Sequence, residues 1–317
     1  MMDKQLFFFF LFILFSFNIA FSQKKFVDGK FKNVDLNAND SLRAGETKII
    51  LSGKTKYTDY KVFSQNGEDG IIDYLLYSLK IDKPKFVEIG IGDYSECNTR
   101  FLFERTSPKG LVVDCIEDLK MKVSKNIKLW RADITILEEF ISFRNINSIL
   151  KKYKFNKNID LFSLDVDGID YWILKELPKN FSKIAIIEFN STFGFEKEIT
   201  VPYKESFDRS KYHYSNLCYG ASLKAINNIM KKKGFIFIGT NLHRVNAFFV
   251  SKKHINKIGL RIPKNKDLKK YADSNIRESR TKNNLLSYLS GKKKIQIIKD
   301  CEIIDLSKKT PKRLKIK

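Results

Sequence analysis

The chain has 317 residues, 43% of them hydrophobic, with 59 basic and 36 acidic residues and a formal net charge of +23. This length and apolar content suffice for one sizeable core, and the charge favours anionic partners such as phosphates or anionic membrane surfaces. Three histidines and the lack of any C-x-x-C pair exclude a histidine-rich metal site and argue against zinc.

The basic residues are mostly lysines scattered along the chain, without an arginine- or lysine-rich cluster interleaved with aromatic residues. The sequence therefore predicts no specific nucleic-acid partner. Four cysteines permit disulfides if the chain is exported. Cys97 and Cys115 follow predicted strand ends, where free buried thiols are expected.

The N-terminal run 6–21 is almost entirely apolar and is shorter than the ~18 or more residues expected of a membrane-spanning helix. Ala20 and Ser22 have the spacing that a signal peptidase needs, which predicts cleavage after Ser22. The lysines that follow favour an alternative, an uncleaved membrane anchor with the C-terminal domain facing the cytoplasm. Either reading predicts a location at the cell envelope, with the membrane as a partner if the segment stays uncleaved.

Short apolar runs alternate with helical stripes over most of the chain. The predicted helices are 66–79, 97–104, 136–153, 169–177 and 221–233, and the predicted strands are 85–89, 110–113, 127–131, 159–164, 184–189, 235–239 and 245–250. This alternation predicts an α/β fold, a mostly parallel sheet covered on both faces. The last two predicted strands form a hairpin, so the last strand is expected to run antiparallel to its neighbour.

The organisation predicted from these patterns has four parts. A signal peptide or anchor at 1–22 and an irregular arm at 23–60 precede the α/β domain at 61–251. A basic extension at 252–317 follows, with one candidate helix at 268–289. Within the domain, the aromatic-rich loop 191–218 is too long for a simple connection and is typical of a lid or binding loop.

The segment FVEIGIGDYSECNTR, residues 86–100, is the most informative motif. A buried strand ends in Glu88, and Gly90 and Gly92 follow at a spacing of two. Glycines at this place allow positive φ angles and a close approach of the backbone to a ligand. The helix that follows can present its N–H groups to the same ligand.

Acids recur at the ends of the predicted strands: Glu88, Asp114 and Asp165, with Asp133 just after the third strand. In a doubly wound sheet these ends converge on one crevice. An acid after the second strand can accept hydrogen bonds from both hydroxyls of a ribose, and an acid after the third from an adenine amino group. The alternative for each is that it caps a neighbouring helix.

The segment SLDVDGIDYWIL places Asp165, Asp167 and Asp170 within six positions, and the next strand ends in Glu188 and Asn190. Clustered carboxylates can hold a cation, polarise a hydroxyl or act as a base. Together with an amide oxygen they suit Mg²⁺ or Ca²⁺. In the alternative interpretation Asp170 caps a helix and Asn190 is a turn residue.

His243 lies in the predicted hairpin turn and is a candidate base, with a solvated turn histidine as the alternative. Residues 64–70, SQNGEDG, precede the first helix. Their polar groups either reach the crevice or cap that helix.

The motifs SQNGEDGII, FVEIGIGDYSECNTR, DLFSLDVDGIDYWIL, IIEFN, YGASLKAI and VNAFFV occur in this order between residues 62 and 251. Together they resemble an uncharacterised family close to the FkbM-type, class I S-adenosylmethionine-dependent methyltransferases. That group mostly O-methylates small molecules or sugars. The resemblance implies a Rossmann-like, seven-stranded sheet with a reversed last strand.

The resemblance also implies roles for individual residues. Glu88, Gly90, Gly92 and Asp93 belong to the cofactor loop, where Tyr94 replaces a glycine that is common in such loops. Further along the chain, Asp114 would meet the ribose, Asp133 the adenine end, and Asp165 the methionine end of S-adenosylmethionine.

The expected acceptor is a small molecule or glycan. Asp165, Asp167 and His243 are the catalytic candidates, and Asp167, Glu188 and Asn190 the candidate ligands of a divalent cation, Mg²⁺. A second hypothesis is a non-catalytic, methyltransferase-like binding module at the cell envelope, because an exported domain would meet no S-adenosylmethionine.

Overall fold

The computed structural model describes residues 61–260, 262–272, 274, 276–308 and 312–316. The predicted signal or anchor and the predicted arm lie outside these residues. Within them, no helix combines the length and the apolar character that crossing a bilayer requires.

The centre of the molecule is a seven-stranded sheet. Its strands are β1 Lys85–Ile89, β2 Lys109–Asp114, β3 Asp133–Glu138, β4 Ile159–Leu164, β5 Ser182–Glu188, β7 Phe235–Thr240 and β8 Asn246–Ser251. They lie side by side in the order β3-β2-β1-β4-β5-β8-β7. The first five are parallel, and β8 runs antiparallel to β5 and β7 on either side of it. The predicted α/β fold with a reversed last strand is confirmed.

Helices cover both faces of this sheet because successive strand residues point to opposite sides. The helices are α1 Glu68–Leu79, α2 Arg100–Thr106, α3 Leu119–Asn126, α4 Ile146–Lys152, α5 Asp170–Glu176, α6 Arg209–Tyr212, α7 Leu223–Lys232 and α8 Lys292–Ile297. Phe86 packs in the apolar layer with α1, α2 and α3, whereas Val87 packs in the layer with α4, α5 and α7. The turn at residue 90 therefore follows a strand whose side chains are packed against helices on both faces of the sheet.

The third strand was predicted at 127–131, which is wrong. Residues Leu129–Arg131 form a 3-10 helix, and β3 begins at Asp133. The apolar spacing of Ile127 and Leu129 reflects packing against the α3 layer, not a place in the sheet. The helix predicted at 136–153 is correspondingly shorter, since β3 continues to Glu138 and α4 begins at Ile146.

The loop after β5 and the basic extension are joined by a small second sheet. Its order is β10-β9-β6, with β6 at Ile199–Thr200, β9 at Glu302–Asp305 and β10 at Lys312–Lys315. A third apolar cluster lies beneath it, with Ile199 from the loop and Ile303 from the extension. No α-helix is found among the described residues of the predicted helix at 268–289. A 3-10 helix lies at Asn265–Tyr271, and the described residues beyond it form no regular element up to residue 289.

Cys218 in the loop and Cys301 in the extension form a disulfide. Cys97 is free and buried, as predicted. Cys115 is free but exposed, so the prediction of burial is wrong for this thiol. It follows the last residue of β2 and lines the crevice described below, where a side chain meets solvent.

Candidate functional site

A crevice of about 490 Å³ lies at the carboxyl ends of the parallel strands. The loops that follow β1, β2, β3 and β4 form its walls, as expected for an open α/β sheet. Of the residues proposed from the sequence, these line it: Glu88, Gly90, Gly92, Asp93, Asp114, Asp165 and Asp167.

Gly90 and Gly92 shape the floor of the crevice through backbone geometry. Both have positive φ angles, 84° and 54°. A Cβ on Gly90 would lie 1.5 Å from the carbonyl oxygen of Asp165, so only glycine fits between β1 and β4. A Cβ on Gly92 would meet no atom within 4 Å, so its Cα faces open space. A ligand can therefore approach the backbone closely at Gly92.

Tyr94 replaces the glycine that is common in cofactor loops, and its ring lies away from the crevice. The residue has a φ angle of 66° and a side chain that is 0% exposed. Its ring packs edge-on against Phe103, with 6.5 Å between centroids, and its hydroxyl lies 2.7 Å from the hydroxyl of Thr99. The tyrosine thus fills the layer beneath the loop and leaves the crevice open.

Glu88 uses its carboxylate to fix the start of α2. One oxygen accepts from the backbone N–H of Asn98 and the other from that of Thr99, both at 2.9 Å. Burial raises the pKa of Glu88 to about 7 against the effect of these hydrogen bonds. The residue lines the crevice, but both of its oxygens already have protein partners.

Asp114 and Asp93 lie on the ligand-facing side of the loops. The Asp114 carboxylate accepts from the N–H of Gly92 at 2.8 Å and from that of Ile116 at 3.2 Å, so the end of β2 is tied to the glycine turn. Asp93 accepts from the N–H of Ser95 at 2.9 Å, and hydrogen bonding, first of all with the Ser95 side chain, lowers the pKa of Asp93. Each of these carboxylates keeps lone pairs for a ligand.

Asp133 does not reach the crevice. Because β3 starts at this residue, Asp133 lies at the amino end of the sheet and pairs with Lys109 at 2.5 Å on the surface. The acid at the carboxyl end of the third strand that lines the crevice is Glu139. The signal was present in the sequence, since the run DITILEE alternates and ends in two acids.

Three carboxylates meet where β4 and β5 end: Asp165, Asp167 and Glu188. One oxygen from each lies within 4.8 Å of the others. Glu188 is only 5% exposed, and its Oε2 has no hydrogen-bond partner among the described residues. Burial, and after it the negative charges of their neighbours, raise the pKa of Asp165 and of Glu188 well above the usual range.

Asp170 and Asn190 take structural positions beside this cluster. Asp170 accepts from the N–H groups of Val166 and Gly168 at 2.9 and 3.1 Å, which pins the turn after β4. Asn190 was predicted to be a metal ligand, but its side chain turns to the loop after β5. It donates to the carbonyls of Leu217 and Tyr219, and its oxygen caps the 3-10 helix by accepting from Thr192.

Arg209, at the start of α6, supplies positive charge next to the cluster and was not anticipated from the sequence. Its guanidinium forms an ion pair with Asp167, and its Nε donates to the carbonyl of Asn216 at 3.0 Å. The same group lies 4.3 Å from the centre of the Tyr219 ring. The loop after β5 is therefore linked to the carboxylate cluster by charge as well as by packing.

The aromatic loop also contacts the crevice through Phe207, which lines it. A Cβ on Gly168 would lie 2.1 Å from the Phe207 ring, so the glycine allows the ring to cover the turn after β4. The indole N–H of Trp172 donates to the carbonyl of Val201 at 2.9 Å and fixes the start of the loop. The loop thus covers the turn after β4, which carries Asp165 and Asp167.

His243 is not brought to the crevice. It lies exposed in the turn between β7 and β8 and does not line the cavity. The polar residue of this hairpin that does line it is Asn246, whose amide donates to the buried Glu68 at 2.8 Å. Of residues 64–70, Gln65 lines the crevice, whereas Asp69 accepts from three backbone N–H groups in front of α1.

No protein-family model matches the chain, and no curated protein matches it at a significant level. Solved structures with a similar fold include an S-adenosylmethionine-dependent methyltransferase from Clostridium acetobutylicum, with a TM-score of 0.37, 10% identity and coverage of 58% of this chain and 90% of that one. The N-terminal domain of EvdMO1, solved in the presence of SAH and D-fucose, has a TM-score of 0.33 and 10% identity, with coverage of 59% of this chain and 81% of that one. LepI in complex with SAM has a TM-score of 0.33 and 14% identity, with coverage of 56% of this chain and 46% of that one. Values this low carry no inference about substrate or chemistry.

Proposed function

We propose that the protein is an S-adenosylmethionine-dependent methyltransferase that methylates a hydroxyl group of a small molecule or glycan. The observation that carries this proposal is the tie between Gly92 and Asp114. Gly92 lies in a positive-φ turn with open space beside its Cα, and its N–H donates at 2.8 Å to the carboxylate of Asp114, the last residue of the neighbouring strand. Such a pair can cradle a nucleoside, with the backbone close to the ligand and the acid available to its ribose.

The sheet order supports the same proposal because it places the turn at the switch point between β1 and β4, where ligands bind in open α/β sheets. The crevice volume of about 490 Å³ falls in the range of small-molecule and cofactor sites. S-adenosylmethionine would supply an activated methyl group at this place. Gly90, Gly92, Asp93 and Asp114 would hold it, while Asp133 takes no part.

Asp165 and Asp167 are placed to orient the acceptor or to take its proton, since both line the crevice at the end of β4. Phe207 and the rest of the aromatic loop would exclude water above them. The chain's main contribution would be positioning, because transfer needs the acceptor oxygen in line with the methyl group. His243 is not part of this arrangement.

The proposal includes a divalent cation bound by the carboxylate cluster. The three oxygens of Asp165, Asp167 and Glu188 lie within 4.8 Å of one another, and the unpartnered Oε2 of Glu188 offers a free ligand atom. An all-oxygen set suits Mg²⁺ or Ca²⁺, and a cation would polarise a bound hydroxyl. Asp165 takes the place in this ligand set that the sequence had assigned to Asn190.

The test is calorimetry of the full chain with S-adenosylmethionine. We expect saturable heat, followed by transfer of a tritiated methyl group to hydroxyl acceptors from a panel of monosaccharides and oligosaccharides. An absence of heat at millimolar cofactor would overturn the proposal. Binding without transfer to any tested acceptor would limit the proposal to cofactor binding.

A second candidate is a non-catalytic binding module at the cell envelope, and the disulfide between Cys218 and Cys301 favours it. Disulfides persist in oxidising compartments, outside the cytoplasm where S-adenosylmethionine is made. Sequencing the N-terminus of the mature protein separates the two. A start at Gln23 in an extracytoplasmic fraction supports the module, and an intact Met1 in membranes supports the enzyme.

A further inference from the structure

The two ends of the parallel strands carry opposite charges. The crevice loops 90–99, 115–118, 139–143 and 165–169 contain seven acids and no lysine or arginine, and Arg209 from the loop after β5 pairs with one of these acids, Asp167. At the other end, we define a basic face by seven segments next to the amino ends of the parallel strands and the carboxyl end of β8. These segments are 80–85, 107–109, 125–132, 151–158, 178–183, 231–234 and 252–257.

The basic face contains nineteen lysine or arginine side chains and one acid, Asp82. The scatter of lysines along the sequence is therefore not a scatter in space, because the topology gathers them at one end of the sheet. The charges are close enough to repel one another. The pKa of His254 is lowered first by burial and then by the positive charges of Lys183, Lys257 and Lys253.

The same repulsion connects other segments of the face. Burial and then the charge of Lys109 lower the pKa of Lys85, across the starts of β1 and β2. Acids next to these segments neutralise the charge only in part, through the pairs of Lys109 with Asp133, of Lys183 with Asp160 and of Arg131 with Glu104. A surface with this much like charge is stabilised by a counter-charge of similar extent.

One aromatic side chain stands out on this face. Trp130, in the 3-10 helix directly before β3, is 82% exposed. Lys128 and Arg131 lie beside it in sequence and are exposed as well. An indole ring surrounded by basic side chains is the chemistry that settles at the headgroup level of a bilayer.

We propose that the basic face, with Trp130 inserted at the headgroup level, docks on an anionic lipid bilayer. Lysines act as point charges and suit a fluid array of anionic headgroups. Nucleic acid fits less well, because single-strand binding uses several stacked aromatic side chains and this face presents one exposed tryptophan. The docked orientation places the crevice about 20 Å away along the strands, open to water.

The docking itself does not depend on the proposed methyl transfer, whereas what it implies for the acceptor rests on that proposed function. With the basic face against lipid, the crevice takes its acceptor from the aqueous side. A water-soluble glycan fits that orientation, and a lipid headgroup of the same bilayer does not reach it.

The chain contains two tryptophans, which allows a direct test. In the full chain, Trp172→Phe leaves Trp130 as the single reporter. Its emission is measured with vesicles of phosphatidylcholine alone and with vesicles that contain phosphatidylglycerol, both with brominated acyl chains. We expect quenching and a blue shift only with the anionic vesicles. Because the reporter is Trp130 itself, attachment through the N-terminal apolar run does not produce the signal.

Two charge-reversed variants of equal net charge complete the experiment. Lys128→Glu, Lys157→Glu and Lys253→Glu together remove charge from the basic face. We expect at least a tenfold rise in the anionic-lipid concentration that half-quenches Trp130. The matched control reverses Lys120, Lys197 and Lys204, which are exposed elsewhere, and leaves that concentration within twofold.

Three results would overturn the proposal: an unquenched Trp130 on anionic vesicles, equal losses in both triple variants, or binding of duplex DNA without any quenching by vesicles. Circular dichroism of each variant confirms that the fold is retained.

Discussion

Gly90 lies against the backbone of Asp165 so closely that a Cβ on the glycine would fall 1.5 Å from the Asp165 carbonyl oxygen. The N–H of Asp165 in turn donates to the carbonyl of Ile89 at 3.0 Å. The floor of the crevice is thus one rigid unit made from the ends of β1 and β4. The glycine turn after β1 and the carboxylate cluster are held on the same support.

This contact predicts a difference between the two glycines. Gly90→Ala must accept a positive φ and a backbone overlap, so we expect a loss of about 3 kcal/mol or more in the free energy of unfolding. Gly92→Ala accepts a positive φ only, with open space at the Cβ, and should lose about 1 kcal/mol. Urea denaturation measures both values. Similar losses for the two variants would contradict the close approach at Gly90.

Asp114 and Asp133 form a matched pair for cofactor binding, since both are strand acids and only the first lines the crevice. We expect Asp114→Asn to weaken S-adenosylmethionine binding by about tenfold, because a charged acceptor is lost. Asp133→Asn should bind as the wild type does. Calorimetry gives both affinities, and an equal effect of the two substitutions would place the nucleoside elsewhere.

The motifs at strand ends were predictable from the sequence, whereas contacts between distant segments were not. The alternation of Val87 and Ile89 with a following glycine fixes both the strand and its turn. Whether Asp133 lies at the start or the end of the third strand depends on where β3 begins. The apolar residues from Ile127 onward fitted a strand as well as those from Ile134 onward did. Sequence periodicity does not distinguish packing against a helix from packing in a sheet.

Side chains that act across the fold left no local signal. Arg209 lies in an ordinary polar stretch, and its role comes from Asp167, 42 positions away. Asn190 looked like a metal ligand because it follows Glu188 by two residues. In the structure the strand ends at Glu188 and the amide of Asn190 turns to the carbonyls of the loop. The basic face likewise exists only once the topology has brought its segments together.

The carboxylate cluster predicts a cation-binding difference between Glu188 and Asn190. Glu188→Gln removes one charge and a ligand oxygen, so we expect Mn²⁺, used as a probe for Mg²⁺, to bind at least tenfold more weakly. Asn190→Ala should change the affinity little and loosen the loop, because its amide holds Leu217 and Tyr219. Electron paramagnetic resonance of free Mn²⁺ reports both. Equal binding by Glu188→Gln and wild type would reject the site.

Asp69 makes stability depend on pH. Burial raises the pKa of Asp69 from 3.8 to about 7, so the folded state holds a proton that the unfolded state releases at lower pH. Its contribution to stability is therefore present in full below about pH 4 and is lost as the pH rises to about 7. Asp69→Asn should make the free energy of unfolding less dependent on pH in this window. An unchanged slope in Asp69→Asn would contradict a buried carboxyl that keeps its proton in the folded state.

The disulfide between Cys218 and Cys301 predicts a thiol count and a stability change. In the native oxidised protein only Cys115 should react quickly with a thiol reagent, because Cys97 is buried. Denaturation without a reductant should expose two thiols, and with a reductant four. The bond joins residues 83 positions apart, and its loss in the Cys218→Ser, Cys301→Ser variant should cost about 4 kcal/mol.

The same variant tests whether the extension holds the loop over the carboxylate cluster. Without the bond, the loop and the extension are still joined by the pairing of β6 with β9 and by the shared apolar cluster. The hydroxyl of Tyr212 also donates to the carbonyl of Glu302 at 2.8 Å, and the N–H of Arg280 to that of Ser215 at 3.1 Å. Limited proteolysis should then cut within 204–216 faster than in the wild type, while cleavage elsewhere in the α/β domain stays the same. The single Cys115→Ser variant is the control for loss of a thiol. Four reactive thiols in the denatured, unreduced protein would show that the bond is not formed and that hydrogen bonds and packing join the two segments.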